Sequence, residues 1–513
     1  MSTEDINKAV VTLKKGVDID AFIEDMVSGS NHNQWMPNRR VELYNEKIDS
    51  KRNVDFVLTR NEAEHLKNDP RIVDVRWGTK VENGLILKKL AVDSSRTYSK
   101  TSTQNNAHYN WAIPAVSNSS NPFVTTSLSF AQQYTLTGSN VDVVIQDSGI
   151  DVNHPEWLNP AGSSSRLQQI NWPSAANLSG TYTQDANHYT DSDGHGTHVA
   201  GTVAGRLYGW AKDANIYAIT IIDNAAAYGV SASFNLIRGW HNAKTSGNPT
   251  VVNMSWGYFS YYENITGGNY RGTVWAGNGV NSAYGMLASA YNYNSIDDLY
   301  YHPARVSSVD ADIEDCIDDG VILVAAAGND AHKMDVSEGT DYNNRYFSST
   351  NGTVYYHRGS TPNGPTGVIS VGSIGVSLTE QKNEFSVCGP GVHVYAPGES
   401  IQSAMPVGAA LSADAVNYPL NASFRAKKIS GTSMASPQVC GVLACLLEAR
   451  PWYTAADAVQ WIAESATTSR LTNSGGSYTD FTSLQGGPNR YLYQPFNTST
   501  VFSLTNGLAI GYG

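Results

Sequence analysis

No apolar run in this 513-residue chain approaches the roughly 20 residues that a membrane-crossing helix needs. The opening MSTEDINKAVVTLKKG lacks a basic start followed by an apolar stretch, so no standard secretory signal is read. The expectation is a cytoplasmic or virion-associated protein, with extracellular release left open. Positive charge is also in short supply: 34 Lys and Arg stand against 46 Asp and Glu, a net charge of −12. That balance argues against a nucleic-acid or anionic-membrane footprint, which would need clustered cations. Cysteine is scarce. Cys316, Cys388, Cys440 and Cys445 lack metal-ligand spacing, and buried free thiols are expected. Charged residues make up 16% and hydrophobic ones 41%, a globular composition large enough for a sizeable core.

What is present divides into two parts. Residues 9–13 (AVVTL) read as a strand, and Ile19, Phe22, Ile23 and Met26 follow at helical spacing. Strand-like runs at 40–44 and 53–58 come next. A helix opens at Thr59, which with Glu62 forms a capping-box pattern, and stops before Pro70; a strand at 72–76 closes the set. Strand, helix, strand, strand, helix, strand describes a small α+β module over residues 1–80. From 81 to 107 the pattern dissolves into polar residues and reads as a linker. Beyond it, buried strand candidates at 141–146, 215–222, 250–254, 321–326 and 368–374 alternate with helical stretches. That alternation predicts a mainly parallel sheet covered on both faces, with its site at the carboxyl ends of the strands.

Three segments at such ends carry the chemistry. VVIQDSGID places Asp147 where a strand runs into a glycine turn. DSDGHGTHVAGT holds His195 and His198 at the start of a small-residue stretch able to form a helix. GTSMASP sets Ser433 just before the apolar helix 437–449. A serine hydroxyl is a poor nucleophile until a base takes its proton, and the base needs a carboxylate to fix its tautomer. Asp, His and Ser supply all three. A metal reading through His195 and His198 lacks the third ligand and the glutamate it would need.

TGSNVDVVIQDSGIDVNHPEW, HGTHVAGT and GTSMASPQVCG together resemble the signatures of the subtilisin-type serine proteases, the subtilases. The Asp, His, Ser order is that family's own and is recognised here rather than derived. The resemblance covers about residues 108–493, and GGPNRYLY is similar to the end of proteinase K-like members. It implies a subtilisin-like three-layer α/β fold over 108–494, preceded by an inhibitor-like prosegment at 1–80, a processing site within the 81–107 linker, and a tail at 495–513. It makes Asp147, His195 and Ser433 the triad, with His195 the base and His198 a neighbour.

Further site residues follow from the same resemblance. VAAAGND gives Asn329 as the oxyanion donor, beside the Ser433 N–H. VVNMSWG gives Ser255, Trp256 and Gly257 as a substrate wall. DNAAAYG, residues 223–229, resembles the edge strand on which an extended peptide adds itself, so Ala226, Tyr228 and Gly229 join the substrate candidates. The implied function is a serine endopeptidase acting on protein or peptide substrates. It would be made as a self-processing precursor and held by its own prosegment.

No cofactor is required. The loop after HGTHVAGTVAG is short where many relatives bind calcium, so that site is expected to be missing. Acidic clusters at 191–194 and 310–319 read as solvated faces more readily than as calcium sites. Insertions at 258–310 and 330–365 exceed the family's usual connections and read as surface elaboration, a cleft cover or a partner surface. The rival reading is a silent subtilase fold serving as a structural or assembly protein, such as a virion component. Against it, all four catalytic residues are intact.

Overall fold

The computed structural model describes residues 6–29, 34–44, 49–78, 86–89 (backbone only), 110–122, 136–286, 301–375, 379–473 and 480–496. The linker read at 81–107 therefore lies outside the described residues except for 86–89, as does the tail from 497 and part of the first insertion.

The N-terminal module consists of β1 (Ile6–Leu13), α1 (Ile19–Ser28), β2 (Glu42–Leu43), β3 (Asn53–Thr59), α2 (Arg60–Leu66) and β4 (Ile72–Trp77). Its strands form an antiparallel sheet in the order β2-β3-β1-β4. Alternation along β3 buries Val54, Phe56 and Leu58 in one cluster with Phe22, Met26, Ala63 and Leu66 of the two helices. The capping box forms as expected: Glu62 N–H donates to Thr59 Oγ1 at 3.2 Å and Thr59 N–H to Glu62 Oε2 at 2.8 Å. The strand expected at 40–44 shrinks to two residues, because Val41 gives its N–H to Met26 O at the end of α1.

After the short strand β5 (Ile86–Lys89) come α3 (Ala112–Val116), β6 (Asp142–Asp147), α4 (Trp172–Ala175), α5 (His195–Ala204), β7 (Asn215–Thr220), α6 (Val230–Ala243) and β8 (Thr250–Met254). The next stretch holds β9 (Trp256–Tyr261), β10 (Ile265–Tyr270), β11 (Thr273–Ala276), β12 (Tyr301–Pro303), α7 (Ser307–Asp318), β13 (Ile322–Ala326), β14 (Arg345–Ser348), β15 (Gly352–Tyr355) and β16 (Val368–Ile374). The last runs through β17 (Val394–Pro397), β18 (Ile401–Met405), β19 (Val416–Tyr418), β20 (Asn421–Ile429), α8 (Thr432–Ala449), α9 (Ala455–Ser465), β21 (Thr467–Thr468) and β22 (Arg490–Tyr491).

The central sheet has the order β21-β22-β17-β16-β13-β8-β6-β7 and is parallel except for the β21–β22 pair. Both faces are buried, as a parallel sheet requires. Val143, Ile145, Ile322 and Val324 pack with α5 and α8 on one face, whereas Val144, Leu323 and Ala325 pack with α6 and α7 on the other. Helix α8 runs through the middle and is buried through Leu447. All four cysteines are buried and free.

Helix α8 begins at Thr432, five residues before the start expected at Pro437. A proline inside a helix leaves the carbonyl four residues back without its donor. Here that carbonyl belongs to Ser433, and Ser255 Oγ donates to it at 2.9 Å. The lost backbone bond is thus replaced from the β8–β9 junction, and the helix continues upstream to carry Ser433 in its first turn.

The insertions build structure of their own: β11-β10-β14-β15 form an antiparallel sheet, and β12 pairs with β9. The acidic stretch 310–319 is not a solvated face. It lies on α7 and its C-cap, against β1 and β4 of the N-terminal module. Arg52 donates to Asp315 Oδ1, Glu314 Oε2 and Ala311 O, while Asp312 Oδ1 accepts from Ser50 Oγ at 2.9 Å and Asn53 Nδ2 at 3.1 Å. The pair of Arg52 and Asp315 is buried, so removing either partner strands a charge; the exposed pair of Lys15 and Asp318 contributes little.

Burial pushes Asp312 up to about 7, with hydrogen bonds from Ser50 and Ser231 opposing the shift. Burial likewise raises Asp49 and Asp315. A carboxyl raised on folding gives stability that is complete below its unfolded value, near 4, and is lost as pH rises toward 7. Asp312→Asn mimics the protonated acid. Its Tm should match that of the unaltered chain near pH 4 and exceed it by about 2 °C at pH 8. Calorimetry across that range checks this; parallel curves for the two proteins would refute it.

Candidate active site

Asp147 is the last residue of β6 and His195 the first of α5. His195 Nδ1 lies 2.7 Å from Asp147 Oδ1, both side chains fully buried. A carboxylate at Nδ1 keeps that nitrogen protonated and turns Nε2 into the acceptor. The close approach depends on glycine: a Cβ on Gly196 would sit 2.2 Å from Gly149 O, and one on Gly149, at φ 125°, would sit 1.9 Å from Thr190 O.

A polar clamp holds the two loops together. Ser148 Oγ accepts from Gly196 N–H at 2.9 Å and donates to Asp191 Oδ1 at 3.0 Å. Asp191 also accepts the N–H groups of Gly194 and Thr197 and the Thr197 hydroxyl, which caps the start of α5. Burial raises the Asp191 carboxyl, partly offset by these donors. The cluster at 191–194 is therefore engaged in capping rather than solvated.

Ser433 stands in the first turn of α8, fully buried, with its N–H among the groups that lack an acceptor within the helix. Its Oγ donates to Ser255 O at 3.0 Å and not to His195, whose buried Nε2 has no hydrogen-bond partner. Catalytic hydrogen bonds often form only once substrate is bound.

His198 sits one turn further along α5 and does something else. Its Nε2 lies 2.9 Å from Ile401 O and 3.0 Å from Lys427 O, which ties β18 and β20 to the helix. Burial pulls it down to about 3, so it is neutral at pH 7. Among the described residues no group of three or more His, Cys, Asp or Glu is placed to hold a metal ion.

Asn329 follows the end of β13. Its Oδ1 accepts from Thr432 N–H at 2.9 Å and Thr432 Oγ1 at 2.8 Å. Both bonds fall on the acceptor end of the amide, so Nδ2 faces away from Thr432. Thr432 thereby orients the amide and tethers it one residue from Ser433.

The substrate candidates divide. Ser255 links the site together: its Oγ accepts from Asn253 Nδ2 at 2.8 Å, and its carbonyl holds the Ser433 hydroxyl. The Trp256 indole is in the core, donating to Gln146 Oε1 at 3.1 Å, so this position offers a peptide its backbone and not an aromatic wall. The β9 edge is already used, because β5 pairs with it antiparallel, with Lys89 opposite Trp256 and Lys88 opposite Gly257. Residues 223–229 are not a paired strand. Asp223 has φ 53°, Asn224 makes a turn with Ala226 and Ala227, and Tyr228 packs its ring on Tyr182 and His188. Ala226 and Tyr228 are buried, and Gly229 is the N-cap of α6.

Ser148 and Thr432 go unnoticed in the sequence, and Asp191 reads there only as part of an acidic cluster, because each acts through backbone groups that folding brings to it. The one available signal was Asp191, a capping residue ahead of a helix.

The family model of the subtilases matches residues 138–486. Subtilisin-like protease 3 of Arthroderma otae is 28% identical over 310 residues, 60% of this chain and 53% of that protein. Subtilisin E of Bacillus subtilis is 30% identical over 336 residues, 64% of this chain and 61% of that protein. The chain thus spans between 53% and 61% of the length of these two curated relatives. The crystal structure of fervidolysin from Fervidobacterium pennivorans, a keratinolytic enzyme related to subtilisin, aligns with a TM-score of 0.51 at 18% identity, over 96% of this chain and 62% of that one. At that identity the likeness speaks for the fold.

Proposed function

The chain belongs to the subtilase family, and on that premise we propose that it is a serine endopeptidase made as a self-processing precursor. The observation that carries this reading is the 2.7 Å contact between Asp147 and His195 at the start of α5, with Ser433 in the first turn of α8, the helix that packs against α5. In the proposed reaction Ser433 Oγ attacks the peptide carbonyl and His195 Nε2 takes the hydroxyl proton. Asp147 orients the imidazole and stabilises its charged form, and His195 then passes the proton to the departing amine. Asn329 and the Ser433 N–H receive the negative oxygen. Water repeats the sequence on the acyl-enzyme. These groups make a complete set for acyl transfer, and the reaction calls for no cofactor.

Two features support the precursor. The N-terminal module is docked on α7 through Arg52, Ser50 and Asn53, and the chain that leaves it lays β5 along the β9 edge that begins next to Ser255. The substrate is a protein or peptide in extended form, which would take by main-chain pairing the β9 edge that β5 occupies here.

A serine-directed phosphonate tests the chemistry. It should modify Ser433 in the wild-type chain, with the rate lowered at least about 100-fold in His195→Ala. Failure to modify the wild type at Ser433 would defeat the proposal and leave the silent structural fold as the better account.

A further inference from the structure

Behind Asn329 lies a second buried Asp–His pair that the proposed chemistry does not use. Asp330 is 2% exposed and His332 fully buried. His332 Nδ1 is 3.0 Å from the Asp330 carbonyl oxygen and 2.9 Å from its Oδ2. Both neighbours are acceptors, so Nδ1 carries a proton; in that tautomer Nε2 accepts from the Tyr262 hydroxyl, 3.3 Å away.

Tyr262 belongs to the first insertion, in the turn between β9 and β10. Its ring packs against His302, Tyr346 and Tyr356, with centroids 4.7, 5.3 and 6.3 Å apart. Burial pushes its phenol well above the usual value, which keeps it a donor.

The loop reached by this chain of contacts is unusual in shape. Gly328 has φ 127° and Ala331 φ 58°, so two left-handed residues flank Asn329 and Asp330. A Cβ on Gly328 would meet Asp330 Oδ1 at 3.0 Å, which places that carboxylate against the residue preceding Asn329. On the other side Val387 N–H donates to Gly328 O, Ala331 N–H to Phe385 O and Cys388 N–H to His332 O. Neighbouring segments thus hold the loop's backbone on that side, and the Tyr262–His332 relay holds the Asp330 carbonyl oxygen, with the buried Asp330 carboxylate close to the same ring nitrogen. The strand leading to Tyr262 is β9, which starts directly after Ser255, the residue that accepts the nucleophile's hydrogen bond. One strand therefore spans the distance from the nucleophile to the support of the oxyanion donor.

We infer that Tyr262 and His332 are positioning residues for Asn329, through which the insertion sets the geometry of the oxyanion site. The inference rests on the serine-endopeptidase reading, and the test separates the two. Tyr262→Phe removes one oxygen and keeps the ring packing. Rates are referred to active sites titrated with a phosphonate. The expected result is a fall in kcat of about 2- to 10-fold with KM unchanged. A peptide boronate, which imitates the tetrahedral intermediate, should lose affinity by the same factor.

In an Asn329→Ala background the Tyr262→Phe effect should vanish, because the relay acts only through that amide. A merely structural role would lower the titrated fraction and persist in that background. A persistent effect, or unchanged boronate affinity, would overturn the inference. Amide hydrogen exchange at residues 328–332 in full-length Ser433→Ala protein gives a readout without turnover: it should quicken on adding Tyr262→Phe, and no change would also overturn it. If the wild type resists the phosphonate, the endopeptidase reading fails, while the exchange experiment still decides whether the relay braces the loop.

Discussion

Ser433→Ala is expected to lower kcat on a peptide substrate by about 10⁶-fold, the size of the loss when a subtilisin nucleophile is removed. The variant should remain folded. Ser433 Oγ makes a single hydrogen bond, to Ser255 O, and the side chain lies in a turn that Ser255 Oγ and Asn329 Oδ1 stabilise through the Ser433 carbonyl and Thr432. Mass spectrometry of the purified full-length chain supplies a second readout. The wild type should be cut within residues 81–108, in the stretch that contains β5 and follows it, and the alanine variant should stay intact. A cut that persists in Ser433→Ala would mean that another protease processes the chain. Turnover that persists would mean that the nucleophile is elsewhere.

Asn329→Ala should lower kcat by about 100- to 1,000-fold with little change in KM, as removal of the corresponding subtilisin donor does. In the proposed reaction the amide meets charge present only in the tetrahedral intermediate, so its loss would leave substrate binding alone. Alanine also deletes the acceptor for Thr432 N–H and Oγ1, which loosens the start of α8. Asn329→Asp distinguishes the two losses: a carboxylate still accepts from Thr432 but cannot donate to an oxyanion and repels it. The aspartate variant should therefore be at least as inactive as alanine while melting closer to the wild type. An aspartate variant with near-normal kcat would refute the oxyanion role.

Much of the fold could be read along the chain because the information is local. The strands at 250–254 and 368–374 coincide with the expected ones, since a strand buried on both faces is mostly apolar, interrupted here only by residues such as Asn253 and Ser370. The Thr59–Glu62 capping box is likewise a matter of adjacent residues. Where the reading fell short, a distant partner decided the outcome. Pro437 reads locally as a helix start, yet the helix opens at Thr432 because Ser255, far away in sequence, supplies the missing donor. Trp256 reads as a pocket wall beside the nucleophile, yet its indole turns inward to Gln146. The acid-rich 310–319 stretch reads as a solvated face, and becomes a docking surface only because Arg52, Ser50 and Asn53 arrive from the other end of the chain.

The same division holds within the site. Asp147, His195, Ser433 and Asn329 were legible because each lies in a short glycine-rich segment at the end of a strand or the start of a helix, where backbone geometry and residue type are set together. The sequence by itself thus picked out the candidate groups for acyl transfer, through their resemblance to the subtilase signatures, and the elements that carry them. Residue type and spacing alone did not say which of two histidines meets the aspartate; only the family resemblance named His195. Tertiary structure decided that: Gly149 and Gly196 let His195 approach Asp147, while His198, one turn away, spends its ring nitrogen on the carbonyls of Ile401 and Lys427. It also decided where the serine hydroxyl rests and how Thr432 turns Asn329, because hydrogen bonds between segments 100 or more residues apart exist only once the sheet and α8 have packed.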